Sequence, residues 1–257
     1  MRLAVATFNI HHGVGIDGGL DLARTAEVIA GTGAALVGLQ EVDRHWSARS
    51  DWEDQPARLA EGLGMEVVFG AAIDLARPDD PDAPRRQYGN ALLSAHPIVS
   101  WTSSLLPGTG EREPRSLLEA VVDVGGTTAQ AAVTHLQNRA PAERLVQARW
   151  VAEALATAAE PVVLLGDMNA QPGSSTLEVL TGGLVDAWSV AGAGAGLTFD
   201  AATPHARIDY VLTSPALVAG AAWVVPGGAS DHLPVVAELA WPSVPEPQFP
   251  GPSGPRY

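Results

Sequence analysis

Asp167 and Asn169 stand two residues apart in Leu164-Leu165-Gly166-Asp167-Met168-Asn169-Ala170, directly after an apolar run that begins at Val162. A run of that length and type reads as a fully buried strand. If the strand continues through both residues, its pleat sends their side chains to the same side. A carboxylate and an amide oxygen aimed together suit a hard cation, or a water that has to be oriented. The competing reading is a plain Asp/Asn turn, because both residues favour turns through local hydrogen bonds. Other apolar runs also end or begin in polar residues. Asn9 follows Leu3 to Phe8, Glu41 follows Ala35 to Leu39, and His135 follows Thr128 to Thr134. Asp209 lies at the start of the run Arg207 to Leu212, and Asp231 with His232 precede Val235 to Leu239. Singly, each is a turn residue or a surface histidine. Gathered at one edge of a sandwich, they make an oxygen-rich pocket with two imidazoles.

Composition narrows the chemistry. With 257 residues, 46% of them hydrophobic, the chain can bury a sizeable core. It has no cysteine, which removes disulfides, thiolate metal sites and cysteine nucleophiles. Every basic residue other than histidine is arginine, so lysine nucleophiles and the P-loop lysine are excluded as well. A net charge of -14 argues against broad binding to nucleic acid, which depends on many Lys/Arg–phosphate contacts. It leaves open a local positive site made by a bound metal. Met1-Arg2-Leu3-Ala4-Val5-Ala6 enters an apolar alternation at once, and no apolar stretch reaches membrane-spanning length. A monomeric cytoplasmic protein without stable membrane insertion is the expectation.

The elements that must hold these residues follow in order. Leu3 to Phe8 reads as a strand, ending in Asn9-Ile10-His11-His12-Gly13. Asp21 caps a helix with Leu22, Ala26, Ile29 and Ala30 as its apolar stripe and Gly31 and Gly33 as its stop. Ala35 to Leu39 is the second buried strand. Pro56 to Leu63 predicts a short helix and Met65 to Phe69 a strand, followed by an aperiodic loop over residues 74–87. Tyr88 to Ser94 returns to strand character, with Pro97 to Ser104 as its expected hairpin partner. Leu117 to Val124 and Thr128 to Thr134 flank Gly125-Gly126, a hairpin signal. Pro141 opens a helix marked by Leu145, Ala148, Ala152, Leu155 and Ala159. Ser175 and Glu178 have capping-box spacing. Strands at Arg207 to Leu212, Ala221 to Val225 and Val235 to Leu239 complete a domain over residues 1–240. Residues 241–257 are rich in proline and predict a disordered tail. Strands outnumber helices, which points to two mixed sheets packed face to face with helices outside, an α/β (α+β) architecture.

Seven segments together resemble the endonuclease/exonuclease/phosphatase superfamily, whose members include deoxyribonuclease I-like and exonuclease III-like enzymes. They are Thr7-Phe8-Asn9, Leu39-Gln40-Glu41-Val42, Tyr88-Gly89-Asn90, Thr134-His135-Leu136, Gly166-Asp167-Met168-Asn169, Arg207-Ile208-Asp209-Tyr210 and Ser230-Asp231-His232-Leu233-Pro234. Each is weak alone, but the ordered set over residues 7–234 is specific. The resemblance implies a four-layer α/β/β/α sandwich with its site at one end of the sheets. It implies Mg²⁺, with Mn²⁺ as a substitute, held mainly at Glu41 with Asn9 and Asp231 nearby. It also implies that Asp167 orients or deprotonates the attacking water beside Asn169, that Asp209 pairs with the catalytic His232, and that His135 contacts the scissile phosphate. Asn90 and Arg115 are weaker candidates for substrate contact, each weighed against a local structural amide and a surface arginine. His11 and His12 follow Asn9 and could line the pocket rim, but ordinary histidines outside the site are the preferred reading.

The expected activity is metal-dependent hydrolysis of a phosphate ester. A small or lipid-derived phosphodiester is preferred, and a DNA endonuclease or exonuclease is the alternative. A non-catalytic metal- or phosphate-binding module is the alternative of another class, and it is weakened because none of the carboxylates or histidines is missing.

Overall fold

The structure, a computed structural model, describes residues 1–77, 80, 82–159 and 161–241. All of the expected Pro-rich tail beyond Trp241 falls outside the described residues. In chain order the elements are β1 (Arg2–Asn9), α1 (Leu22–Thr32), β2 (Leu36–Arg44), α2 (Gln55–Leu63), β3 (Glu66–Leu75) and β4 (Arg86–Ser94). Next come β5 (Ile98–Leu105), β6 (Ser116–Val124), β7 (Thr127–His135), α3 (Pro141–Leu155) and β8 (Val162–Asp167). The last are α4 (Ser175–Thr181), β9 (Val185–Asp186), α5 (Ala187–Ala191), β10 (Asp209–Thr213), β11 (Val218–Val224) and β12 (Val235–Ala240).

Two six-stranded mixed sheets result, ordered β11-β12-β1-β2-β4-β3 and β5-β6-β7-β8-β10-β9. Each has one parallel pair near its centre, β1 with β2 and β7 with β8. The sheets pack face to face over one apolar layer that includes Leu3, Val5, Leu36, Leu92, Leu118, Val133, Leu165, Val211 and Leu239. A second layer joins α3 and α4 to the second sheet through Ala148, Val151, Leu164, Leu177 and Leu212. A third joins α1 and α2 to the first sheet through Phe8, Leu22, Ile29, Val37, Leu39 and Leu59. The α/β/β/α order of layers follows from these three apolar interfaces, and they explain why Val162 to Leu165 lacks alternation. Val163 and Leu165 face the opposite sheet, while Val162 and Leu164 face the helices, so both sides of β8 are dry.

Local signals set most element ends. The Asp21 carboxylate accepts from the Arg24 N–H to start α1, and Gly33 ends it at φ 65°. Four expectations are corrected. β5 is no hairpin partner of β4: both edges of β4 are taken by β2 and β3, so the chain crosses to the other sheet and β5 pairs with β6. The cap of α4 is Ser174, whose hydroxyl accepts from the Leu177 N–H, and not Ser175. α3 ends at Leu155, so Ala159 lies beyond its stripe. The loop expected over 74–87 is shorter because β3 runs to Leu75 and β4 starts at Arg86, while residues 78, 79 and 81 lie outside the described residues.

Gly166 is the tightest point of β8. A Cβ there would lie 2.3 Å from the Thr134 carbonyl oxygen, on the backbone of the paired strand. Gly166→Ala is therefore expected to cost about 2 kcal/mol by overpacking, read as a lower urea midpoint, and to lower turnover because Asp167 shifts with the strand.

Candidate active site

Strand parity builds the site. On β1 the residues facing the opposite sheet are Leu3 and Val5, and the same parity continues through Thr7 to Asn9. On β8 the inward residues are Val163 and Leu165, and the next is Asp167. On β7 they are Ala131 and Val133, and the next is His135. On β10 Asp209 precedes inward Val211 by two. The pocket is thus the inter-sheet layer itself, its last rung made of polar in place of apolar side chains.

Register completes the convergence. Asp167 is paired with His135 on one side and with Asp209 on the other. Its Oδ2 is the meeting point. Asn9 Nδ2, arriving from the other sheet, donates to it at 3.2 Å. His135 Nε2 lies 3.4 Å away and His232 Nε2 3.7 Å away. Asp167 is only 1% exposed. Burial, then the neighbouring Asp209 carboxylate, raises its pKa from the usual carboxylate range to about 7.

The two histidines have opposite states. His232 Nδ1 faces Asp209 Oδ2 at 2.9 Å, and the same oxygen accepts from the Thr198 hydroxyl at 2.5 Å. Burial disfavours the imidazolium, but Asp209 and then Asp167 outweigh it and raise His232 to about 10. At neutral pH it is a cation with its Nε2 proton toward Asp167. His135 is pushed well below its ordinary value by burial, then by the Arg115 guanidinium and His232, and stays neutral. Both of its ring nitrogens face donors: Arg115 Nη1 lies 3.0 Å from Nδ1, and Asn169 Nδ2, whose other hydrogen goes to the Leu136 carbonyl at 3.1 Å, lies 3.0 Å from Nε2.

Asn169 reaches this place by the turn, the competing reading of this stretch. β8 stops at Asp167, and Asn169 adopts φ 48°, so the pair is not carried on a continuing pleat. The Asn169 N–H donates to Asp167 Oδ1 at 2.8 Å, a turn built by the aspartate side chain. The turn and the site are one feature.

Glu41 sits at a bulge in β2, between Leu39 and Val42, with φ 58°. The irregularity turns its carboxylate into the half-buried mouth, where Asn9 Nδ2 donates to Oε1 at 3.0 Å. Asn9 Oδ1 in turn accepts from the His11 N–H at 3.1 Å. Asp231 lies on the other flank, its Oδ1 3.2 Å from the Ser230 hydroxyl and 3.7 Å from His11 Nδ1. Two carboxylates and an amide are a donor set that suits a hard divalent cation. Two of the guanidinium groups around the mouth are engaged elsewhere: Arg49 forks onto buried Asp43, and Arg115 pairs with Glu113 at 2.7 Å. Among the described residues Glu41 makes no ion pair with an arginine, and its side-chain partner is the Asn9 amide.

The weaker candidates resolve in structural terms. Arg115 is 5% exposed, so it is not a surface arginine, and it bridges His135 and Glu113. Asn90 is no local turn amide: it donates from β4 across the sandwich to the carbonyl and hydroxyl of Ser116, at 3.0 and 3.2 Å. Both line a small cavity that Glu41 and His135 also line. Thr198 escaped the sequence reading, and His11 and His12 were not favoured by it. Thr198 comes from an irregular segment with no local signal. His11 and His12 were adjacent to Asn9 in sequence but lacked a partner there, and the fold gathers them around Glu41. Burial, then Arg49 and His11, lowers His12 to about 4.

The mouth opens into a cavity of about 430 Å³ lined by His11, His12, Glu41 and Tyr88 and by four arginines, Arg49, Arg112, Arg115 and Arg139. Glu113 lines it too, and Arg49 and Arg115 are paired with Asp43 and Glu113, so the wall combines guanidinium and carboxylate groups.

Known proteins with this architecture carry the same frame. A structure of an endonuclease/exonuclease/phosphatase from Beutenbergia cavernae superposes with a TM-score of 0.80 and 33% identity, over 93% of this chain and 72% of that one. A mannosyl-6-phosphatase from Bacteroides thetaiotaomicron superposes with a TM-score of 0.73 at 19% identity, covering 93% of this chain and 100% of that one, a likeness of fold alone. The Schizosaccharomyces pombe protein cwh43 is 31% identical over 125 residues, or 48% of this chain, and the match spans 12% of that protein's length. The sequence model described as "Endonuclease/Exonuclease/phosphatase family" matches residues 6–232, from inside β1 to His232. With its two sheets, its helices outside and its polar rung at one end, the chain belongs to the endonuclease/exonuclease/phosphatase family.

Proposed function

We propose that residues 1–240 form a divalent-metal-dependent phosphodiesterase acting on a small or lipid-derived phosphodiester. The observation that carries the reading is the convergence of Asn9, His135 and His232 on a single oxygen of Asp167, with the free carboxylate of Glu41 one amide away. That arrangement has a base, a cationic donor and an oxygen-rich ion site at one place.

Each side chain has a distinct part. Asp167, raised toward neutrality by burial, takes the proton of an attacking water, and the Asn9 amide and the Asn169 N–H fix its two oxygens. His232, kept protonated by Asp209, presents a charged N–H to phosphate oxygens as they gain charge. Arg115 and Asn169 hold the His135 ring in place from its two nitrogens. An ion at Glu41, with Asn9 and Asp231 beside it, supplies electrostatic stabilisation of the phosphate when bound.

The arginine-lined cavity supports a compact anionic substrate. Its volume is in the range of small-ligand sites, whereas an extended duplex needs a long basic face. Among the described residues no helix is long and apolar enough to cross a membrane, so a lipid-derived substrate is met at a surface or as a released head group.

The test is a Mg²⁺- and Mn²⁺-dependent screen of the purified chain against plasmid DNA, RNA, sphingomyelin-like lipids and small phosphate mono- and diesters. Release of a phosphorylated head group or cleavage of a small diester is expected, with little nicking of plasmid. Glu41→Ala should raise the metal concentration needed for half-maximal rate by at least about tenfold. Efficient plasmid cleavage with no small diester turned over would overturn the substrate assignment.

A further inference from the structure

We propose that His11 and His12 join Glu41 as direct metal ligands, forming a two-imidazole, one-carboxylate site that prefers a transition ion such as Mn²⁺ or Co²⁺ over Mg²⁺. The proposal rests on reading Glu41 as an ion ligand and goes beyond it by naming nitrogen donors.

The geometry points there directly. One ring nitrogen of His11, one of His12 and one carboxylate oxygen of Glu41 all lie within 4.8 Å of one another. Ligand atoms about 2.1 Å from a common ion stand roughly 3 to 4 Å apart, so a small rotation about the side-chain bonds closes the set. The three residues are half-buried at the cavity mouth, which leaves room for waters or a phosphate oxygen on the open side.

The backbone holds the imidazoles in place. His11 and His12 occupy a single turn after β1 with φ 44° and 46°, a region that costs side-chain-bearing residues energy. That turn is tied at three points: Asn9 Oδ1 accepts the His11 N–H, the Gln55 amide donates to the His12 carbonyl at 2.7 Å, and the Gly13 N–H bonds to the Ile10 carbonyl at 2.8 Å. The two rings meet edge to face with centroids 4.5 Å apart, which steadies each against the other. His11 Nδ1 is turned toward Asp231, 3.7 Å away, which leaves Nε2 for the ion and makes Asp231 the carboxylate behind a ligating imidazole. Asn9, with its oxygen given to the His11 N–H and its nitrogen to Glu41 and Asp167, orients both groups from behind. Imidazole raises affinity for Mn²⁺, Co²⁺ and Zn²⁺ and adds little for Mg²⁺, which prefers oxygen.

Two measurements on the full chain, stripped with a chelator, decide the matter without substrate. Pulsed electron paramagnetic resonance of the wild-type protein loaded with Mn²⁺ is expected to show ¹⁴N couplings from directly bound imidazole, and their absence overturns the proposal whatever the variants do. Calorimetric titration is expected to give Co²⁺ at least about 100-fold tighter than Mg²⁺. His11→Gln and His12→Gln should each weaken Co²⁺ at least about tenfold and leave Mg²⁺ within about threefold. If both variants bind Co²⁺ like wild type while Glu41→Gln loses every ion, the imidazole ligands are refuted and the Glu41 reading stands. If wild type binds no divalent ion, both readings fall.

Discussion

Asp167→Asn is expected to lower turnover by roughly three to four orders of magnitude while leaving the protein folded and able to bind its ion. The carboxamide preserves the shape of the side chain and can still receive the Asn169 N–H, but it cannot accept a proton from water. The same substitution carries a stability prediction of opposite sign. Asp167 is raised in the folded state to about 7 by burial and by Asp209, above the ordinary 3.8 of the unfolded chain. Between those values the native state holds a proton that the unfolded state has lost, so Asp167 lowers stability progressively as pH rises from about 4 to 7. Above that interval the full cost is present. The Asn variant is therefore expected to be at least as stable as wild type at pH 8 in metal-free buffer, the gain shrinking toward pH 4. Urea unfolding at a series of pH values reads this directly. A variant both inactive and markedly less stable at pH 8 would mean that Asp167 is a structural carboxylate.

His232→Gln has the second largest expected effect, a loss of roughly two to four orders of magnitude in turnover. Here the pH profile identifies the role. Asp209 and Asp167 keep His232 charged up to about 10 against the opposing effect of burial. The wild-type rate is expected to fall as pH rises through that value, and the Gln variant should lack this alkaline limb. Asp209→Asn, which removes the larger of the two attractions, should move the limb to lower pH. The sign for stability is that of a histidine with a raised pKa: the contribution is fully present below the ordinary 6.5 and is lost as pH rises through about 10. His232→Gln also leaves Asp209 buried with only the Thr198 hydroxyl for a partner, a loss on the order of 3 kcal/mol. The double variant His232→Gln/Asp209→Asn should recover part of that stability and none of the activity. Recovery of activity would show that the pair acts on structure alone.

Both predictions depend on a polar rung that closes an apolar sandwich, and its parts differed in how far the chain announced them. Asn9, Asp167 and His135 were legible because each follows an apolar strand and keeps that strand's inward parity. Glu41 was legible as a strand-end carboxylate, but its aim was not, since a bulge with a positive φ reverses the parity that pattern alone would assign. Asn169 could be read either on a continuing pleat or in an Asp/Asn turn, and the backbone takes the turn, built by the Asp167 side chain.

By itself the sequence determined the reaction chemistry available and the layers that would hold it. The lack of cysteine and lysine, the ordered strand-end carboxylates and histidines, and the alternation of apolar runs with capped helices are local or compositional facts, written in adjacent residues. Tertiary structure decided what lies opposite what. The pairing of Asp167 with both His135 and Asp209 is a matter of strand register, and the bond from Asn9 spans 158 residues. Thr198, Arg115 and the His11–His12–Glu41 group acquire meaning only from such crossings. The charge states are decided there too, because desolvation and the nearness of other charges set them. The same residue type is thereby neutral at His135, beside Arg115, and cationic at His232, beside Asp209.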